Sequence, residues 1–85
     1  MSNIFLLLTR ENLLSYYKDT QEELAKAREK LKQLEKLRDK HVKENPLPEN
    51  FWSILIRIRN TKEKIDDIKH SLAFYQEQLD ILSIG

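Results

Sequence analysis

Seven residues, Glu44-Asn45-Pro46-Leu47-Pro48-Glu49-Asn50, separate two stretches that both repeat apolar residues every three or four positions. Proline has no backbone N–H, fixes φ and disfavours the helical region in the residue before it, so Pro46 and Pro48 together forbid one continuous helix. Neither flanking stretch contains another proline, and the single glycine is Gly85. The break therefore predicts an all-α fold: two long antiparallel helices forming a hairpin or coiled coil, in one domain over residues 1–85.

In the first arm the stripe is Leu13, Tyr17, Leu24, Ala27, Leu31 and Leu34, with Leu14, Leu37 and Val42 beside it. That period belongs to a helix, not a strand. Thr9 stands where its hydroxyl can accept from an unpaired N–H, and Glu11 lies in the first turn, where the helix dipole favours an anion. Thr20-Gln21-Glu22-Glu23 has the spacing of a second capping box. The apolar phase nevertheless carries from Tyr17 to Leu24 without a slip, which predicts one helix over 9–43.

The second arm steps through Phe51, Leu55, Ile58, Ile65, Ile68, Leu72, Tyr75, Leu79 and Leu82, with Lys62 as its one polar position, and predicts a helix over 51–84. Ile54-Leu55-Ile56-Arg57-Ile58-Arg59 has the β-branched content of a strand, but it runs into the helical stripe with no turn signal. Pairing residue 43 with residue 51 across the 44–50 turn sets Leu34 near Asn60, Leu24 near His70 and Leu13 near Ile81. The arms then match at about 34 residues, roughly 50 Å of helix.

Two helices of this length bury too little surface to be comfortably stable alone. The chain has no cysteine, hence no disulfide or thiolate metal site to reinforce it. With 34% charged and 40% hydrophobic residues it is too apolar for a disordered tail and matches long helices. The second arm also carries Trp52, Ile54, Ile56, Phe74 and Ile81 in excess of what one facing helix covers. Burying each such side chain is worth ~1.5–3 kcal/mol. A further helical layer is expected, from a second copy in a four-helix bundle or from a helical partner. Trp52 is the candidate anchor, since Trp is enriched at interface hot spots; the competing reading has Phe51 and Trp52 plug the hairpin end against Leu47 and Val42.

Residues 1–8 form a short apolar segment ahead of the first helix. Its run Ile4-Phe5-Leu6-Leu7-Leu8 is too short for a signal-peptide core or a membrane span, so cytoplasmic or nuclear residence is expected. It is also too apolar for a free tail, which makes Phe5 and Leu8 further candidate partner contacts.

Catalytic chemistry finds little support in the pattern. His41 lies beside the turn, where it is expected to be solvated and to interact with the negative helix end. His70 falls at the seam edge of the other arm, so the two do not share a metal. Asp66-Asp67 and Glu22-Glu23 are neighbours that diverge by about 100° on a helix and cannot share a proton. No serine has a base at a recognisable spacing, and no glycine-rich loop exists to hold phosphate. The expected protein is not an enzyme and carries no cofactor or metal.

Charge is balanced overall at +1 but not locally. Eight basic and three acidic residues lie between Lys26 and Lys43, whereas Glu11 to Glu23 and Glu63 to Asp80 are net negative. A helix bearing Lys26, Lys30, Lys36 and Lys40 is a candidate for contact with nucleic acid or with an acidic protein. Glu29, Glu35 and Asp39, spaced for intrahelical pairs, and the absence of interleaved aromatics weigh against nucleic acid.

Two helices around a proline break, with aromatics opening the second, resemble several unrelated groups: small co-chaperones of type III secretion needle subunits, coiled-coil subunits of kinetochore or tethering complexes, and Rop-like dimers. The likeness is architectural and carries no diagnostic motif, so it transfers no residue roles. The expected function is a non-enzymatic interaction subunit, a structural or adaptor component assembling with itself or a helical partner. The alternative is a small co-chaperone or inhibitor that masks a client helix, and a nucleic-acid-binding hairpin stands behind both.

Overall fold

A computed structural model describes residues 9–84 of the chain. It has two helices, α1 (Arg10–His41) and α2 (Phe51–Ile84), of 32 and 34 residues. They pack against each other as an antiparallel hairpin, in agreement with the fold class read from the sequence. The molecule is a rod of 61 × 24 × 14 Å with a radius of gyration of 18.6 Å. A compact chain of this length would have a radius near ~12 Å, so the core is a line of contacts and not a volume.

The ends of α1 follow their local chemistry. Thr9 is extended (φ −67°, ψ 155°), and its hydroxyl accepts from the Asn12 N–H at 3.3 Å while its carbonyl accepts from Leu13 at 2.9 Å. The helix runs unbroken through Thr20, because no residue there needs to leave the α region. Val42 closes it, donating to the Arg38 carbonyl at 2.8 Å, and Glu44 N–H bonds the His41 carbonyl at 3.0 Å. The turn then passes through a cis Asn45–Pro46 peptide, and Asn50 opens α2 by accepting from Ile54 N–H at 3.1 Å.

On α2 the buried positions are Phe51, Ile54, Ile58, Thr61, Ile65 and Ile68. Their spacing alternates strictly between three and four, and the half-buried Leu72, Tyr75 and Leu79 continue it. On α1 the line is Leu13, Tyr17, Thr20, Leu24, Ala27, Leu31 and Leu34, all buried or half-buried at the same alternation. A repeat of 3.5 residues keeps one seam facing its partner along the whole rod, the coiled-coil solution to packing two long helices.

Two corrections follow. The seam takes Ile54 and Thr61, not Leu55 and Lys62; Leu55 is half-buried at its edge and Lys62 is exposed. The register is also tighter than pairing 43 with 51 implies. Leu34 clusters with Ile54 and Ile58, short of Asn60, and Leu24 packs on the Ala27, Ile65 and Ile68 cluster, short of His70. Thr61 is tolerated in the seam because its hydroxyl donates to the Arg57 carbonyl at 2.7 Å, one turn back. That bond satisfies a polar group whose burial would otherwise cost about 1–3 kcal/mol.

Candidate protein-protein interface

Sequence adjacency at the start of α2 hides a division of labour. Phe51 is buried and closes the seam at the turn, whereas Trp52 is 68% exposed. Their rings meet edge to face at 6.0 Å and 78°, so Phe51 props Trp52 without covering it. Only half of the expected plug therefore forms. Val42 at the end of α1, Leu47 in the turn and Ile56, one helical turn beyond Trp52 on α2, are exposed toward the same end of the rod. Ile54, expected to share this surface, is only 3% exposed and belongs to the hairpin's own core with Leu34 and Ile58.

A second apolar patch lies at the open end. Tyr16 on α1 meets Tyr75 on α2 with ring centroids 6.0 Å apart, and Tyr75 meets Phe74 edge-on at 5.9 Å. Phe74 and Ile81, two expected contacts, are exposed beside this aromatic bridge. Leu14, on the other flank, lines an open groove of about 290 Å³ with Tyr17, Leu79 and Asp80. Gln76 Nε2 and Ser83 Oγ both bond Asp80 there, each at 2.9 Å, which orders its rim. Phe5 and Leu8 lie outside the described residues.

The basic residues divide differently from the expectation. Lys26, Lys30 and Lys40 share one line along α1, and Lys36 sits on the outer face; all four are exposed. Lys30 lines an open groove of about 200 Å³ together with Arg57, Asn60, Thr61 and Lys64 of α2. Three cations thus converge across the seam and no carboxylate lines the groove. The basic surface belongs to both helices, although the sequence pattern assigned it to the first arm. The spacing of Arg57 and Lys64, seven residues apart, held the missing signal.

No protein-family model, curated protein or solved structure matches this chain.

Fine electrostatics depart from the expected intrahelical pairs. The ion pairs among the described residues are Arg38 with its neighbour Asp39 at 3.0 Å and His41 with Glu44 at 2.9 Å, the latter requiring a protonated ring. Neither Glu29, which is exposed, nor Glu35, which is half-buried, is in an ion pair among the described residues. His41 is not a freely solvated residue: its side chain is only 16% exposed and its Nδ1 is tied to Glu44. His70 is exposed, away from the seam edge. Both grooves fall below the ~300–1,000 Å³ of small-molecule pockets and open to solvent. Among the described residues no helix is long and apolar enough to cross a membrane.

Proposed function

We propose that this hairpin is a non-enzymatic protein–protein interaction subunit, a cytoplasmic structural or adaptor component that assembles with a second copy or with a helical partner. One observation carries the proposal. Among the described residues ten large apolar side chains are exposed, while eight apolar residues are buried. Single exposed apolar residues are ordinary on a folded surface, but gathered patches mark contact sites. Here they gather at the turn, around Trp52, and at the open end, around Phe74. A helix face laid against either patch supplies the layer that a two-helix rod lacks.

Sedimentation velocity of the full chain at micromolar concentration, read beside its circular dichroism, tests this. Association is expected, or incomplete helicity that a partner completes. A fully helical monomer that unfolds in one sharp transition overturns the proposal.

A further inference from the structure

The charges of the two arms are segregated along the rod. Residues 26–66, the half nearer the turn, hold twelve basic and seven acidic side chains, and the remaining half holds three and seven. The molecule is therefore a rod with a net +5 half and a net −4 half, although its total is only +1. A uniform polyanion meets attraction at one half and repulsion at the other. A second rod laid antiparallel meets attraction along its whole length.

The residues on one flank of the seam give this a register. Asp19, Glu23, Lys26 and Lys30 are spaced by four, three and four residues and so lie in line along α1. All are exposed, and none has an ion-pair partner among the described residues. The order acid, acid, base, base is its own complement when reversed. A two-fold axis sets Asp19 of one copy against Lys30 of the other and Glu23 against Lys26, each twice.

On α2 the same flank repeats the polarity, with Asp67 toward the open end and Lys64 and Arg57 toward the turn. The groove of Lys30, Arg57 and Lys64 is where this matters most. Positions that face each other beside a coiled-coil seam ordinarily carry opposite charges, and here three like charges meet. A carboxylate from outside relieves that repulsion, and Asp19 of the second copy arrives at Lys30. The same alignment brings Tyr16 of one copy within about a turn of Leu37 of the other, both being exposed in the single hairpin.

We infer that this flank is a self-association surface on which a second copy of the chain lies antiparallel, its Asp19 and Glu23 meeting Lys30 and Lys26. The inference rests on the assembly function proposed above and names a second copy as partner on one surface. Trp52 and Val42 stand on the other flank, so a heterologous partner retains access to the turn patch in the dimer.

Two variants of the full chain test it by sedimentation equilibrium at low and high ionic strength. D19K/E23K makes the α1 line all basic, and K26E/K30E makes it all acidic. All four positions are exposed in the single hairpin, and circular dichroism of the equimolar mixture equal to that of the natural chain confirms that both variants can form the hairpin. Four rim ion pairs are lost and replaced by repulsions, so each variant alone dimerises at least about tenfold more weakly than the natural chain. An equimolar mixture restores the dimer, because the all-basic and all-acidic lines complement each other. Added salt weakens the natural dimer.

A dimer that survives in both variants, or a mixture that fails to restore it, overturns the antiparallel register while leaving the assembly function standing. A fully helical natural monomer overturns both. A partly helical monomer that binds single-stranded RNA through Lys30, Arg57 and Lys64 overturns self-association in favour of phosphate recognition.

Discussion

Ile54 and Trp52 stand two residues apart, yet their environments are opposite. Ile54 clusters with Leu34 and Ile58 in the one seam between the helices, where a truncated side chain leaves a cavity. Ile54→Ala is expected to destabilise the fold by about 2–4 kcal/mol. Trp52→Ala, removing a mostly exposed ring, is expected to change the isolated hairpin's stability by no more than about 0.5 kcal/mol. Urea unfolding of the two variants under identical conditions checks the contrast, and equal losses would contradict it. Thr61 offers a third test. Its hydroxyl bonds only its own helix, at the Arg57 carbonyl, so Thr61→Val fills the same space and gains apolar contact. A stability equal to the natural chain's or up to about 1 kcal/mol higher is expected in the same assay.

The two helices are held in place by different means. α1 has a side-chain cap: Thr9 satisfies the Asn12 N–H, and its carbonyl receives the Leu13 N–H. Thr9→Ala is expected to cost about 0.5–1 kcal/mol, at the low end for such caps because the bond is exposed and 3.3 Å long. Amide hydrogen exchange should quicken at Asn12 and Leu13 and stay unchanged around Ala27, since fraying reaches only the first turn. α2 depends on the turn and the seam. Its interior positions were legible only in part. Phe51, Leu55, Ile58 and Lys62 form as good a three-and-four ladder as Phe51, Ile54, Ile58 and Thr61. The Lys62 path, however, needs two steps of three in succession to reach Ile65 and Ile68. The Thr61 path alternates without a fault to Leu79. Unbroken alternation was the signal, and the appearance of Thr61 as an ordinary polar residue concealed it.

For the whole molecule, thinness is the governing property. A rod 14 Å across in its least dimension has one seam and no second layer, so stability and association are linked. The midpoint of thermal unfolding is expected to rise with protein concentration, as mass action requires when the associated form alone is fully stable. Calorimetric scans over a hundredfold range of concentration check this, and a constant midpoint would show a hairpin that stands alone. The charge segregation adds that this rise is steeper at low ionic strength, where the two halves of the rod attract over about 10 Å or more.

By itself the sequence determined that the chain is two helices parted by the proline-containing turn, and that they carry more apolar surface than one seam can bury. Those properties are local or periodic: proline's missing N–H, Thr9's hydroxyl, and a repeat of 3.5 residues act through neighbours on one helix. The tertiary structure decided which neighbours face inward, placing Ile54 in the core and leaving Trp52 and Ile56 outside. A helical stripe is defined only to within the 100° that separates adjacent residues, and the opposing side chains select within that range. It also decided that Lys30 of one arm meets Arg57 and Lys64 of the other. Residues about thirty positions apart come together only through the register of the seam, and no period along one helix contains that register.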